Sequence, residues 1–397
     1  MISRVHIENF KSLVNFDLPP KGHQLGGFTC LIGMNGAGKS TLLQAFDFIA
    51  HVATGTVKDW LKNRDWKKSE LVSNLGKKNL LIQFDVVMRS KMGQEIAWHA
   101  RFNSTMLKCT FETIHCNGEI ILKLEDGRLA LIRADGEARS ADEVLFDYEG
   151  SIFGKLKLEG IHPGVGEVRS ILQSLRSLEL LSPQLMRKKA RSAQDIGASG
   201  EKLSPFLNQL NVGSKTDLLL KLQGFYPHLM KWNVKGYRAG WKILRTQEDY
   251  GDRTPVEAGH INDGFLRVIA ILAQAYTTHS ILLLDEIENG INPAIVERLV
   301  DFLVELGRQG KQVIVTTHSP LILNYLEDAV AKKAVILLYK NDDGSTQGCR
   351  YFDDPETRDK LRALGPGEVF ADTDLLKMVA RLAANFPEKE AQHTSGK

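Results

Sequence analysis

Read as a pattern of apolar and polar positions, the chain changes period three times. Near the N-terminus two short strands are expected, followed by a mostly apolar strand, Phe28-Thr29-Cys30-Leu31-Ile32. It runs straight into Gly33-Met34-Asn35-Gly36-Ala37-Gly38-Lys39-Ser40, after which Leu42, Leu43, Phe46, Ile49 and Ala50 recur at helical spacing. The order is strand, glycine loop, helix. From Leu80 to Asp135 the period becomes two: Ile82, Phe84, Val86 and Met88 alternate with Gln83 and Asp85, and Ile96, Trp98, Ala100 and Phe102 alternate with His99 and Arg101. Asn117-Gly118, Asp126-Gly127 and Asp135-Gly136 supply turns; the first suits a tight primed hairpin, because both residues tolerate positive φ. An antiparallel meander is expected here.

Between about 165 and 240 the spacing turns helical, with Val168, Ile171, Leu172, Leu175 and Leu178 on one face and Leu203, Phe206, Leu207 and Leu210 on another. No heptad register persists long enough for a coiled-coil arm, so a compact helical lid is expected over 146–255. The last third alternates. Phe265 to Tyr276 predicts a helix, Ile281-Leu282-Leu283-Leu284 a buried strand, Pro293 to Leu306 a helix capped by Asn292, and Gln312 to Thr317 another buried strand. That alternation implies a parallel sheet in an α/β core. The core is thus assembled from 1–53 and 256–385, with a β subdomain and basic segment over 54–145, the lid over 146–255, and a polar tail over 386–397 that is expected to be disordered.

Composition refines this picture. A length of 397 residues exceeds what one hydrophobic core usually supports, which agrees with a core carrying insertions. The net charge of +3 creates no global field, so binding to nucleic acid needs a local patch. The start lacks an apolar stretch behind a basic end, and the longest uncharged stretch, Val268 to Leu284, is broken by Gln274, Thr277, Thr278, His279 and Ser280. A cytoplasmic protein without a membrane partner is expected. Cys30, Cys109, Cys116 and Cys349 show no Cys-x-x-Cys spacing and read as reduced packing residues.

Gly33-x-x-x-x-Gly38-Lys39-Ser40 is the P-loop pattern, in its required setting between a strand and a helix. Gly33, Asn35, Gly36, Ala37, Gly38, Lys39, Ser40 and Thr41 form the expected phosphate cradle: backbone N–H groups turn inward, Lys39 reaches the β and γ phosphates, and Ser40 ligates Mg²⁺. Asp285 and Glu286 end a buried strand, where an open α/β sheet binds ligands. Asp285 is expected to hold Mg²⁺, and Glu286 to orient and polarise an attacking water. Without the P-loop, the pair and the following Glu288 would read as a solvated acidic loop. His318 ends another apolar strand, and a neutral imidazole there can donate to a γ-phosphate. A histidine at a strand end is more often structural; its place after the acid pair favours the sensing role.

The order of P-loop, Asn262-Asp263-Gly264-Phe265-Leu266-Arg267, Leu284-Asp285-Glu286-Ile287-Glu288-Asn289-Gly290 and Thr317-His318-Ser319-Pro320 resembles the ABC-class ATPases of the SMC, RecF and OLD branch. The opening Ile7-Glu8-Asn9-Phe10-Lys11-Ser12 is similar to that branch too. The resemblance implies an α/β fold: a P-loop NTPase head of ABC type with a parallel core sheet, an antiparallel β-meander subdomain and a helical lid insertion. It also implies ATP and Mg²⁺ as cofactors, His318 as the switch histidine, and an ATP-sandwich homodimer or higher oligomer. In that dimer Asn262, Asp263 and Gly264 contact the γ-phosphate held by the opposite subunit. Asn262-Asp263 departs from the commoner Ser-Gly, and Asn292-Pro293 from the frequent His-Pro. Gln44 is the first glutamine after the loop and is left unassigned.

Two basic clusters, Lys58, Lys62, Arg64, Lys67 and Lys68 around Trp60 and Trp66, and Arg187, Lys188, Lys189 and Arg191, are open to phosphate contact, solvation or protein docking. Asp372-Thr373-Asp374 reads as a helix start, and too few residues follow His318 for a metal-nuclease core. The resemblance therefore implies a separate effector protein, a nuclease or other toxin, with DNA as a further candidate partner, in DNA maintenance or anti-phage defence.

Overall fold

The computed structural model describes residues 1–20, 22–75, 79–90, 92–137, 142–250 and 255–384; the expected disordered tail lies outside them. In chain order β1 (Ile2–Glu8) and β2 (Phe16–Leu18) precede β3 (Phe28–Ile32), and α1 (Lys39–Thr54) and α2 (Val57–Arg64) follow it. Next come β4 (Leu81–Arg89), β5 (Glu95–Asn103), β6 (Lys108–Cys116), β7 (Glu119–Glu125), β8 (Arg128–Leu131) and β9 (Asp142–Glu143). The middle holds α3 (Pro163–Gln173), β10 (Leu175–Ser177), α4 (Pro183–Met186), α5 (Leu203–Gln209), α6 (Val212–Phe225), β11 (Leu229–Gly236), β12 (Lys242–Glu248) and β13 (Val256–Glu257). Then follow α7 (Asp263–Leu272), β14 (Ile281–Leu284), α8 (Pro293–Arg308), β15 (Gln312–Thr316), α9 (Pro320–Asn324), α10 (Asp328–Ala334), β16 (Val335–Lys340) and β17 (Thr346–Arg350). Helices α11 (Pro355–Lys360), α12 (Pro366–Asp372) and α13 (Leu375–Ala384) end the described chain.

The central sheet runs β10-β14-β15-β3-β16-β17, parallel throughout except for the β16–β17 hairpin. Its inner strands are apolar on both faces for a simple reason: alternate residues enter different cores. Leu282, Leu284, Val313 and Val315 join the core built with α7 and α8, whereas Ile281, Leu283 and Ile314 join the core shared with α1 and the antiparallel strands. Asn292 caps α8 as expected, its Oδ1 accepting from Ala294 N at 3.0 Å with Pro293 at the first helical position.

The antiparallel sheet runs β2-β1-β4-β5-β6-β7-β8-β9. It is larger than the sequence reading predicts, because β1 and β2 belong to it and not to the P-loop strand; Val5 lies opposite Val86 and Ile7 opposite Phe84. The burial of β1 alternates, as a strand with one wet face requires. Asn117 and Gly118 form the expected primed turn, with φ of 49° and 89°.

The lid reading needs correction at residue level. Helix α3 keeps Val168, Ile171 and Leu172, but Leu175 lies in β10, which pairs in parallel with β14 as the edge strand of the central sheet. Residues 229–248 form the β11–β12 hairpin, not a helix, and β13 adds a third strand to it. A few apolar residues at mixed spacing fit either element, and here pairing partners supplied by distant segments decide. Among the described residues no helix is long and apolar enough to cross a membrane.

Candidate active site

Three strand ends meet at one rim. In the parallel sheet Leu284 lies beside Val315, and Thr316 beside Leu31, so β14, β15 and β3 release their following loops side by side. Those loops are Asp285 to Ile291, Thr317-His318-Ser319 and Gly33 to Gly38.

The glycine loop is wedged from two sides. A Cβ on Gly33 would lie 2.3 Å from Leu338 O, and one on Gly38 would lie 2.3 Å from Thr346 Oγ1, while their φ values of 147° and 105° exclude ordinary side chains independently. Thr346 Oγ1 also donates to Ala37 O at 3.1 Å and lies 2.9 Å from Ser12 Oγ, which ties the loop to β17 and to the N-terminal segment. Asn35 and Gly36 are exposed at the tip. Gly38 gives α1 no side-chain cap, so its first-turn N–H groups face the loop without one. These donors fit an anionic phosphate chain.

Lys39 Nζ lies over the loop, donating to Gly33 O at 2.8 Å and to Met34 O at 3.1 Å. It also approaches His318 Nδ1 at 3.4 Å, and His318 Nε2 lies 3.6 Å from Glu286 Oε1. Where Nδ1 accepts from the lysine, the ring proton lies on Nε2 and faces the carboxylate. Burial lowers the Lys39 pKa, while Asp285, Glu286 and Glu288 oppose that shift. Asp285 accepts a short hydrogen bond from Thr316 Oγ1, which in turn accepts from Glu286 N at 2.8 Å. Glu286 has φ of 44°, a left-handed backbone that non-glycine residues rarely hold, and its side chain is exposed beside His318.

Ser40 and Asp285 supply one hydroxyl and one carboxylate, the donor types by which Mg²⁺ is held together with substrate phosphates. Among the described residues no group of three or more His, Cys, Asp or Glu could hold a metal by itself. Phosphate and water oxygens would complete the shell.

Sequence-expected residues do not all converge. Asn262 caps α7, its Oδ1 accepting from Phe265 N at 2.7 Å; Asp263 pairs with Arg187; and Gly264 lies close to Gly290. Among the described residues no hydrogen bond joins these three to the P-loop, Asp285 or His318. Gln44 accepts from Lys11 and donates to Glu179. Arg64 is internal, its side chain 4% exposed between Asp47 and Glu179, so the first basic cluster is partly structural. Lys189 lies 3.8 Å from the Tyr237 ring centre and Arg191 4.5 Å from that of Trp241. Asp374 starts α13 by accepting from Lys377 N at 3.1 Å. Sequence reasoning missed Glu288, whose Oε1 accepts from Thr317 Oγ1 and from His318 N, both at 2.9 Å. Its spacing three residues beyond Asp285 was visible, but nothing local distinguishes it from a solvated loop acid.

Comparison with known proteins places the chain by family and fold. Residues 126–324 match the family described as "AAA domain, putative AbiEii toxin, Type IV TA system", and residues 1–142 match the family described as "AAA ATPase domain". The OLD nuclease of Thermus scotoductus is 43% identical over 49 residues, 12% of this chain and 8% of that protein. Structural maintenance of chromosomes protein 1 of Arabidopsis thaliana is 44% identical over 61 residues, 14% of this chain and 4% of that protein. ABC transporter A family member 5 of Dictyostelium discoideum is 26% identical over 124 residues, 31% of this chain and 7% of that protein. The chain thus spans less than a tenth of the length of these curated relatives. Two solved structures share the fold: an Smc head bound to the C-winged helix domain of ScpA, with TM-score 0.51, 14% identity and coverage of 88% of this chain and 96% of that one; and an Smc head with an extended coiled coil bound to the C-terminal domain of ScpA, derived from Pyrococcus furiosus, with TM-score 0.53, 13% identity and coverage of 91% and 99%.

Proposed function

The chain belongs to the AAA domain family matched over residues 126–324 and has an ABC-type ATPase fold of the SMC/OLD kind, and from that premise we propose that it binds and hydrolyses ATP as a nucleotide-driven switch. The observation that carries the reading is the convergence of Lys39, His318 and Glu286, whose side chains follow one another at 3.4 and 3.6 Å across the rim of one sheet.

In this reading the loop N–H groups and Lys39 hold the triphosphate, and Ser40 and Asp285 hold Mg²⁺, which supplies charge neutralisation at the phosphates. Glu286 orients a water for attack on the γ-phosphorus. Its carboxylate is exposed and therefore accessible to that water. His318 turns its Nε2–H toward the γ-phosphate and registers its loss. One rim surrounds the phosphates from a single side, so a second head, offering Asn262, Asp263 and Gly264, completes the shell and closes only on ATP. The dimer then acts on a separate effector, in DNA maintenance or anti-phage defence. A second reading, a scaffold that restrains a partner without contacting DNA, draws on Arg64, whose guanidinium is committed to internal ion pairs and unavailable to phosphate.

Glu286→Gln tests the proposal. ATP affinity is expected to stay near that of the unaltered protein, turnover to fall by about 100-fold or more, and a nucleotide-dependent dimer to accumulate in light scattering. Unchanged hydrolysis would remove Glu286 from its role.

A further inference from the structure

The β15–β3 ladder extends one residue beyond the strand, to Thr317 N donating to Leu31 O at 3.1 Å. His318 is the first residue past that ladder, where the chain has left the sheet and must find another support. Its backbone N–H finds Glu288 Oε1 at 2.9 Å, and the same oxygen accepts from Thr317 Oγ1 at 2.9 Å. The threonine hydroxyl in turn accepts from Ser319 N at 2.9 Å, so one carboxylate oxygen organises three consecutive residues. Among the described residues Glu288 Oε2 is buried without a hydrogen-bond partner, an uncommon state for a carboxylate, and Ile287 and Ile291 on either side of it in sequence are buried in the core. The side chain is not a solvated acid.

We propose that Glu288 is a positioning residue of this site: its carboxylate fixes the loop that carries His318 and so sets where the imidazole stands between Lys39 and Glu286. This deepens the ATPase reading and rests on it for the chemistry. Glu288 touches neither phosphate nor water in this scheme; it acts on the site through the His318 loop, apart from the electrostatic support its charge gives Lys39. Because the bond is to the backbone N–H, the imidazole nitrogens remain available to Lys39 on one side and Glu286 on the other. A charged acceptor makes such a bond stronger than a neutral one, and it joins the loop after β14 to the loop after β15. Release of that tie would let the imidazole drift, and misplacement by about 1 Å is enough to cost about 100-fold in rate.

Two substitutions separate geometry from the mere presence of a partly buried side chain. In Glu288→Gln the amide carbonyl can still accept from His318 N and Thr317 Oγ1, with the NH₂ turned to the side where the native oxygen has no partner. In Glu288→Ala both acceptors are gone. Steady-state hydrolysis, binding of a fluorescent ATP analogue, thermal melting and the ¹⁵N signals of the His318 ring would be measured on the full chain. Expected for Glu288→Ala is a fall in kcat of about 10- to 100-fold, an analogue affinity within about threefold, and displaced His318 ring signals. Glu288→Gln is expected to recover most of the rate and the native ring signals. Wild-type turnover in Glu288→Ala, loss of analogue binding in parallel with rate, or a Gln variant as impaired as the Ala variant would each overturn the positioning role. If the unaltered protein itself fails to hydrolyse ATP, the proposed function falls. The ring signals then decide the positioning role by themselves, and native signals in Glu288→Ala would overturn it.

Discussion

Two carboxylates with buried oxygens, Glu112 on a strand of the antiparallel sheet and Glu288 in the loop that leaves the parallel sheet, show how differently a fold can use an acid. Glu112 lies on β6 with no exposed surface, and both of its oxygens are used: Oε1 accepts from Ile152 N at 2.8 Å, and Oε2 accepts from Ser151 Oγ and from Trp98 Nε1 at 3.1 Å. Glu288, in the loop at the end of the parallel sheet, has one oxygen doubly engaged and the other without a partner among the described residues. The first carboxylate closes a polar network inside an antiparallel sheet; the second supports the loop that carries His318. Complete satisfaction goes with a fixed interior, and incomplete satisfaction with a place where the chain stops pairing with itself.

Measurements at four positions would sharpen or break this contrast. The largest effect is expected at the interface of the two regions: Leu283→Ala, on the face of the central sheet that packs with the antiparallel strands, should cost about 2–5 kcal/mol in denaturant unfolding. A value near zero would mean that the two sheets do not share a core. Next, Lys39→Ala should weaken ATP binding by about 100-fold in calorimetry, about 2.7 kcal/mol, without lowering the melting temperature comparably. An equal loss of both would make Lys39 a structural residue like Glu112.

Third, Glu112→Ala should cost about 1–3 kcal/mol by stranding Trp98 Nε1 and Ile152 N, with ATP turnover preserved in the folded fraction. The same residue carries a pH signature. Burial raises its pKa to about 7, against the hydrogen bonds that favour the charged form. The folded state therefore prefers the protonated acid: this contribution to stability is fully present below the ordinary value of 4.5 and is lost as pH rises through about 7. Urea midpoints at about pH 5.5 and pH 8.5 should fall more for the unaltered protein than for Glu112→Gln. Parallel falls would reject the assignment. The smallest effect is expected at the α8 cap, where Asn292→Ala should cost about 1 kcal/mol and leave nucleotide binding intact.

The sequence was most legible where burial on both faces leaves no polar position to confuse the pattern. Phe28–Ile32 and Ile281–Leu284 are strands with the bounds read from sequence, and the third buried strand ends at Thr316, one residue before the sequence reading places it. The cap at Asn292 and the turn at Asn117-Gly118 were legible too, because each depends on residues adjacent in the chain. Leu175–Ser177 was not. A three-residue edge strand inside a helical spacing carries no period of its own, and only β14 beside it makes it a strand. The membership of β1 in the antiparallel sheet was hidden for the same reason, since the identity of its partner β4 is not written in β1.

For the candidate site, the chain alone determined which chemical groups exist: a glycine loop with Lys39 and Ser40, an acid pair closing an apolar strand, and a histidine closing another. Those assignments rest on contacts between near neighbours, whose geometry backbone sterics and side-chain period restrict tightly. Only the tertiary structure decided that Lys39 and His318, 279 residues apart, lie within 3.4 Å, and that Glu288 bears on the histidine loop instead of facing water. Distant adjacency of this kind follows from the order in which strands pair across a sheet, a choice made by the packing of whole cores and not by any short segment.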